Sequence, residues 1–306
     1  MKRYLVKRLG LSILVLLAAA LISFAIIRFL PGNPAELVLG ENATPERIAA
    51  MEKKMGLDKP LIVQFFIYIG NVLRGDFGTS VRFNLPCSVL LAQRLPATIV
   101  LTLCATLISM LVAFPLGICA SIKKGSAIDF FAMFFALIGG SVTPVWLGLF
   151  LIIIFAVNLK WLPTQGYGSW KNVILPAITQ GYAMSAAITR QLRSGMFDIL
   201  EEDYITAAYA RGISRRQVYT KYALKNAMLP VMTVIGSQVA SMLAGSVVTE
   251  SVFGWPGLGS LLIASLTTRD YPLLQACLLV SSGIFILVNL LVDLLYTLVD
   301  PRMGLK

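Results

Sequence analysis

The chain has 306 residues, 57% of them hydrophobic and only 13% charged, with a mean hydropathy of +0.80. A soluble domain carries about 25% charged residues, so this balance excludes a soluble globule and describes an integral membrane protein. The formal charge of +11 does not point to nucleic acid, because the Lys and Arg alternate from side to side of the apolar stretches instead of forming one solvated patch.

Six apolar stretches reach the roughly 20 residues that a bilayer-spanning helix needs: about 9–30, 97–121, 129–157, 175–196, 228–249 and 273–299. The predicted fold class is an all-α membrane protein with six transmembrane helices. Lys2, Arg3, Lys7, Arg8, Lys123, Lys124, the run from Arg190 to Lys225, Arg302 and Lys306 share one side. Lys160, Lys171 and Arg269 are on the other. The positive-inside rule then puts both termini in the cytoplasm of a multi-pass cytoplasmic (inner) membrane protein in contact with lipid. Lys2-Arg3 and Lys7-Arg8 before an apolar run resemble a secretory signal, but the run continues to Leu30, which favours a retained first helix.

The breakers Leu30-Pro31-Gly32-Asn33-Pro34 end that helix, and residues 31–95 form a long outer segment. Residues 1–95 are thus read as one unit and 96–306 as a five-helix core. Thr44-Pro45-Glu46 predicts a helix start, with Thr as cap and Pro at the first position, and Gly56 its end. Residues 61–73 are apolar but too short to cross, as in an interfacial or core-packed helix. Arg74-Gly75-Asp76-Phe77-Gly78 reads as a turn.

Pro115 and Pro144 fall inside the second and third spans. A fixed kink is the direct steric reading, and a gating flex point the functional one. In the fourth and fifth spans small residues recur every fourth position: Gly181 and Ser185; Ala183 and Ala187; Gly236, Ala240 and Ala244; Ser237, Ser241 and Gly245. They allow close helix packing, or an interface lining a passage, with Gln180, Ser237, Gln238 and Ser241 facing it. Asn289 and Asp293 share one face of the sixth span. Asn289 is a further candidate for the passage, and Asp293 reads as a structural bond across helices rather than a proton relay. Between the last two spans, Glu250-Ser-Val-Phe-Gly-Trp-Pro-Gly-Leu-Gly259 predicts a bent outer loop or re-entrant hairpin carrying Glu250, Trp255, Pro256 and Gly257, with Trp255 at the membrane–water boundary. Four scattered cysteines and no histidine offer neither a disulfide framework nor a zinc pattern.

The cytoplasmic segment 197–227 reads as two short helices. Glu201, Glu202 and Asp203 favour the dipole of the first. Ala207, Ala208 and Ala210 give it a low profile, and Gly212 ends it. Ser214 caps a basic helix with Arg215, Arg216, Lys221 and Lys225 that stops at Pro230. Small residues beside orienting charges suit a docking knob.

Thr206-Ala207-Ala208-xxx-Gly212 resembles the EAA loop of permease subunits in ATP-binding-cassette importers, with Thr in place of the usual Glu. The long distance from Gly212 to Leu229-Pro230 is similar to the dipeptide, oligopeptide, glutathione and nickel importers. So are Met55-Gly-Leu-Asp-Lys-Pro60 with Gln64, Arg74-Gly-Asp-Phe-Gly78, Arg94-Leu-Pro96, Glu202-Asp-Tyr204, Asn226-Ala-Met-Leu-Pro230, Phe253-Gly-Trp-Pro-Gly-Leu-Gly259, Arg269-Asp-Tyr-Pro272 and Asp300-Pro301. The resemblance, to the first permease of such a pair, covers nearly the whole chain. It implies a type I importer fold, a homologous second permease as heterodimer partner, an extracytoplasmic substrate-binding protein and two cytoplasmic ATPase subunits. Those ATPases, which bind ATP and Mg, would grip Glu202, Asp203, Tyr204, Thr206, Ala207, Ala208 and Gly212. This chain would be a non-catalytic subunit without a cofactor, in keeping with the absence of a GxxxxGK[ST] phosphate loop. The expected cargo is a di- or oligopeptide, with a nickel chelate as alternative. A secondary transporter without ATPases is the competing class, and Asp293 is its clearest coupling charge.

Overall fold

The structure is a computed structural model that describes residues 2–29, 44–55 and 59–299. The breakers after Leu30, the stop at Gly56, Asp300-Pro301, Arg302 and Lys306 lie outside the described residues. Three helices form the N-terminal part: α1 (Lys2–Phe29), α2 (Pro45–Met55) and α3 (Leu61–Leu73). Helix α2 starts at a proline whose missing N–H has no intrahelical partner to lose, and Ile48 N–H closes the turn onto Thr44 O at 2.9 Å. Helix α3 packs on the outer end of α1 through Phe24, whose ring lies 5.5 Å from Phe65 and 6.0 Å from Tyr68. Leu61, Ile62, Phe66 and Leu73 remain exposed, as suits an apolar helix at an interface. The predicted turn follows, with Gly75 and Gly78 at positive φ and Gly78 N–H donating to Asp76 Oδ1 at 2.9 Å.

The core begins with α4 (Cys87–Ile122), which runs through Pro96 and Pro115 without a break. Next come α5 (Ala127–Ser141) and α6 (Pro144–Leu151), the latter prolonged by a π-helical stretch over Ile152–Asn158. The single span expected over 129–157 is therefore replaced by two helices bent by 103°. Pro144 opens a new helix, and the residue before a proline is driven out of the helical region: Thr143 sits at φ −69°, ψ 146°. A short α8 (Asp203–Ala210) then separates α7 (Trp170–Leu200) from a long rod. The rod comprises α9 (Arg215–Gln217), a π-helical stretch Val218–Ala223 and α10 (Leu224–Leu243). Pro230 does not stop it, contrary to the sequence reading. A proline inside a packed membrane helix is tolerated because neighbouring groups take up the carbonyl it frees. The rod ends at Leu243, short of the expected 249, because Gly245 turns the chain at φ +121°. Finally α11 (Val247–Val252) and α12 (Leu258–Thr267) form a hairpin leading into α13 (Tyr271–Val299).

Among the described residues four helices are long and apolar enough to cross a membrane, and a fifth if the bent pair counts as one span. The expected fourth span coincides with α7, which is long enough but is not among them. It is the central helix: Leu175, Ile188, Leu192 and Met196 are fully buried against α4 and α10. Backbones approach closely where glycine removes the side chain. A Cβ on Gly181 would lie 2.9 Å from Ala105 O of α4, and one on Gly236 would lie 2.5 Å from Val292 of α13.

Asp270 ties the outer segment to the core. It is buried and accepts from Ser80 Oγ at 2.5 Å, from Arg82 N–H at 3.2 Å and from Leu273 N–H at 3.3 Å, capping α13 as it does so. At the other end of α13, Asp293 pairs with Arg8 of α1 at 2.5 Å, the cross-helix bond expected of it.

Gly236→Val should destabilise the protein by about 1–3 kcal/mol through overpacking at Val292. Gly70→Ala, with nothing within 4 Å of the new methyl, should leave stability unchanged or raise it by up to about 1 kcal/mol. Thermal unfolding of the detergent-solubilised variants checks both, and equal effects would contradict the packing at Gly236.

Candidate functional site

Helix α8 follows α7 after a turn closed by Glu202 N–H on Ile199 O at 3.1 Å. Glu202 occupies the N-cap position without a side-chain cap bond, and Asp203 lies in the first turn, where its charge favours the helix dipole. The C-terminus carries both bonds of a Schellman motif: Gly212 N–H to Tyr209 O at 2.9 Å and Ile213 N–H to Ala208 O at 3.2 Å. Gly212 takes φ +76°, a conformation that side chains strain. Ser214 then caps the next helix, accepting from Gln217 N–H at 3.4 Å as expected.

One face of α8 is fixed. Ile205 and Ala208 are buried against Val218, with Ile213 and Tyr222 beside them. Tyr204 Oη accepts from Asn226 Nδ2 at 3.0 Å, which binds α8 to the rod. Burial and then the Tyr219 hydroxyl push the Tyr209 phenol above its usual value, and Arg215 opposes them. The opposite face is free: Glu202, Asp203, Thr206, Ala207, Ala210 and Gly212 are exposed, and so is much of Tyr204. Ala208 departs from this set. It packs inward, so a bulky residue there would loosen α8 from the rod before it met anything outside.

The candidate passage residues do not form one constellation. Ser237 and Ser241 are exposed along α10, and Gln180, Gln238 and Asn289 are half-buried. Ser237 Oγ donates to Val234 O at 3.0 Å, and Asn289 Nδ2 donates to Phe285 O at 2.8 Å, each on its own helix. Among the described residues no hydrogen bond joins any two of the five. The two stripes on α10 separate: buried Gly236 and Ala240 do the packing, while Ser237 and Ser241 keep an open polar edge.

The outer hairpin is built around Glu250. Its carboxylate is fully buried and accepts from Ser260 N–H at 2.9 Å, Thr98 Oγ1 at 3.1 Å and Ser246 Oγ at 3.5 Å. Burial pushes this carboxyl above the usual range, and the hydrogen bonds from Ser260, Thr98 and Gly259 pull against it. The glycines make room for it, since a Cβ on Gly257 would lie 2.4 Å from the carboxylate and one on Gly259 2.7 Å from the Val247 backbone. Trp255, expected at a membrane–water boundary, does not present its ring to any surface. It is buried, donates Nε1–H to Ala97 O at 2.9 Å and meets Tyr167 edge-on at 4.9 Å, while Pro256 is half-buried above it. A buried indole N–H needs an acceptor, and α4 supplies one.

Sequence reasoning missed the contacts between the N-terminal part of α5 and the C-terminal part of α7. Arg193 forks onto Asp129, with Nε–Oδ1 at 2.5 Å and Nη2–Oδ2 at 2.7 Å, and Gly125 N–H adds a bond to Oδ2 at 3.0 Å. Lys124 Nζ lies 3.2 Å from Glu201 and 3.1 Å from the Phe197 ring centroid. Arg190 Nη1 donates to Ala136 O at 2.7 Å. These lysines and arginines had been read only as a topology signal. The four-residue spacing of Arg193, Phe197 and Glu201 is the one trace of a shared face in the sequence.

The sequence that builds this helix and hairpin has counterparts among known families. Residues 113–305 match the family described as binding-protein-dependent transport system inner membrane component, and residues 1–110 match its N-terminal membrane component. The chain belongs to this family. It is a permease subunit of an ATP-binding-cassette importer, a multi-pass protein of the inner membrane. It is 43% identical over 306 residues to the glutathione transport system permease protein GsiC of Salmonella typhimurium, covering 100% of both chains. It is 39% identical to the dipeptide transport system permease protein DppB of Alkalihalophilus pseudofirmus, covering 99% of both. Its fold is similar to that of the inward-facing MetNI methionine ABC transporter, at TM-score 0.60 and 15% identity, over 69% of this chain and 96% of that one. A second similarity, to an amino acid ABC transporter with histidines, has TM-score 0.51 and 17% identity over 70% and 94%.

In this permease Glu250→Ala should strand the Ser260 and Thr98 donors, at about 1–3 kcal/mol for each buried group left unpaired. The readout is earlier thermal unfolding together with faster outer-side proteolysis of the hairpin. An unchanged melting temperature would show that the hairpin does not depend on this carboxylate.

Proposed function

We propose that this permease moves di- and oligopeptides, glutathione among them, inward across the membrane, driven by ATP hydrolysis on two separate cytoplasmic subunits. The observation that carries the proposal is the two-sided construction of α8. One face is bonded to the rod through Ile205, Ala208 and Tyr204, and the other presents Glu202, Asp203, Thr206, Ala207 and Gly212 to the cytoplasm. An ATPase that grips the free face displaces α8, and the Tyr204–Asn226 bond and the buried cluster carry that displacement into α10. ATP and Mg belong to those ATPases, and this chain is their non-catalytic partner. A homologous second permease completes the pathway, and an extracytoplasmic binding protein delivers the cargo. Residues 96–306 form the moving core and residues 1–95 an outer and peripheral unit. On this reading α7 is a sixth span, counted with the bent pair as one, and both termini face the cytoplasm.

Peptide is preferred to a nickel chelate because the full-length relatives are named for glutathione and for dipeptides. The pathway residues proposed are Gln180 on α7, Ser237, Gln238 and Ser241 on α10, and Asn289 on α13; α10 packs against both of the other helices.

Proteoliposomes holding both permeases and both ATPases, with the binding protein outside, should accumulate labelled dipeptide only when ATP and Mg are enclosed. Gly212→Val places a β-branched residue at φ +76° and should cut uptake at least about tenfold, since a misplaced coupling element costs the 1–3 kcal/mol typical of linked sites. The complex should still assemble. Nucleotide-independent uptake by the unaltered complex would defeat the proposal.

A further inference from the structure

We propose that the turn between α4 and α5, with Asp129 and Lys124, is a second transmission contact. It locks the cytoplasmic end of α5 to the end of α7, so that α5 moves with the coupling helix as one piece. The inference rests on the ATP-driven reading of α8 given above.

Arg193, Phe197 and Glu201 are spaced by four residues, and so lie on one face of the last two turns of α7. All three meet the same short segment. Arg193 holds Asp129 through two parallel hydrogen bonds, the strongest geometry available to a guanidinium and a carboxylate. The Asp129 side chain is only 8% exposed, so water screens this pair little. Lys124 sits over the Phe197 ring and reaches Glu201. That outer pair is more than half exposed and contributes little by itself, but it ends two residues before α8 begins.

Asp129 is also tied to the start of its own helix. Ser126, the N-cap, accepts from Asp129 N–H at 3.4 Å through Oγ, and Asp129 Oδ2 accepts from Gly125 N–H, one residue before the cap, at 3.0 Å. Its position is therefore set from within α5 before Arg193 engages it. Farther along, Arg190 donates to Ala136 O and Tyr182 Oη to Phe135 O at 3.1 Å, which zips the two helices together. A push on α8 thus has two outlets. One is the Tyr204–Asn226 bond to the rod, and the other runs back through Glu201, Phe197 and Arg193 to α5. Since α5 meets α6 at a 103° bend, rotation of α5 at its base is displayed at that bend.

The experiment uses the full complex in proteoliposomes and compares dipeptide uptake with ATP hydrolysis in the same vesicles. Arg193→Gln should lower uptake per ATP about tenfold, within the range of typical coupling free energies, and Arg193→Lys should recover most of it. Unchanged uptake per ATP, or a parallel fall of both activities in an assembled complex, would make the contact merely structural. A second arm covers a variant that fails to assemble. Lys124→Cys with Glu201→Cys, in a chain carrying Cys119→Ser, is bridged by a short reducible thiol reagent. Bridging should leave uptake intact, because the two ends move together. Loss of uptake that reduction restores would overturn the inference. Uptake by the unaltered complex without ATP would instead count against the reading of α8.

Discussion

Much of the core packs against α7, whose buried polar side chains need partners inside the protein. The helix carries Gln180, Arg190, Gln191 and Arg193 alongside a buried face that includes Leu175, Ile188, Leu192 and Met196. Its neighbours answer by close approach and by complementary groups. Gly181 lets it press against the α4 backbone, and Gly139 and Gly140 open α5 to Ala186 and to the Arg190 guanidinium. Carbonyls of α5 and the Asp129 carboxylate then take up its donors. A helix so enclosed cannot shift without moving what surrounds it. That mechanical property is what a permease needs at its centre.

Two irregular segments bracket the rod that begins at Arg215 and ends at Leu243. At the N-terminal end of the rod α8 is tethered to it, while past its C-terminal end Gly245 folds the chain into the Glu250 hairpin. The hairpin in turn grips α4 through Thr98 and Ala97. The rod therefore joins α8 at one end to the hydrogen-bonded Glu250 hairpin at the other. A π-helical stretch at Val218–Ala223 is part of it. Such stretches bond with one residue more per turn, and they occur disproportionately at functional positions.

What could be read in advance depended on whether the signal was local. The limits of α3 followed from an apolar run between Pro60 and Arg74, and the Gly212 cap from a small residue after an alanine-rich helix. The break before Pro144 was half legible, since proline marks the position but not whether a membrane helix kinks there or starts anew. Pro230 taught the opposite lesson, because packing carried the helix through it. The burial of Trp255 was not legible, because composition suggests an exposed Trp at the bilayer boundary and no sequence rule reveals that Ala97 O awaits its N–H. Arg193 and Asp129 lie 64 positions apart, and only the folded chain brings them together. Most of the fold was thus legible, together with the helix Asp203–Ala210 and its glycine cap. The contacts of Arg193 and Lys124 were hidden among charges with an adequate topological explanation.

The one carboxylate of α13 that could have served ion coupling is committed elsewhere. Asp293 is mostly buried and bonded to Arg8, which is itself 44% exposed. In water such a pair would contribute at most about 1 kcal/mol. Near the inner end of two apolar helices the balance changes, because separating the charges would leave a carboxylate facing hydrocarbon. Arg8 meets Asp293 through both Nη2 and Nε of its guanidinium. The pair is neutral as a unit and straps α1 to α13, which in turn packs on Gly236 of the rod. A proton relay requires a group free to change partners along a wet path, whereas this contact serves to hold the peripheral helix to the core.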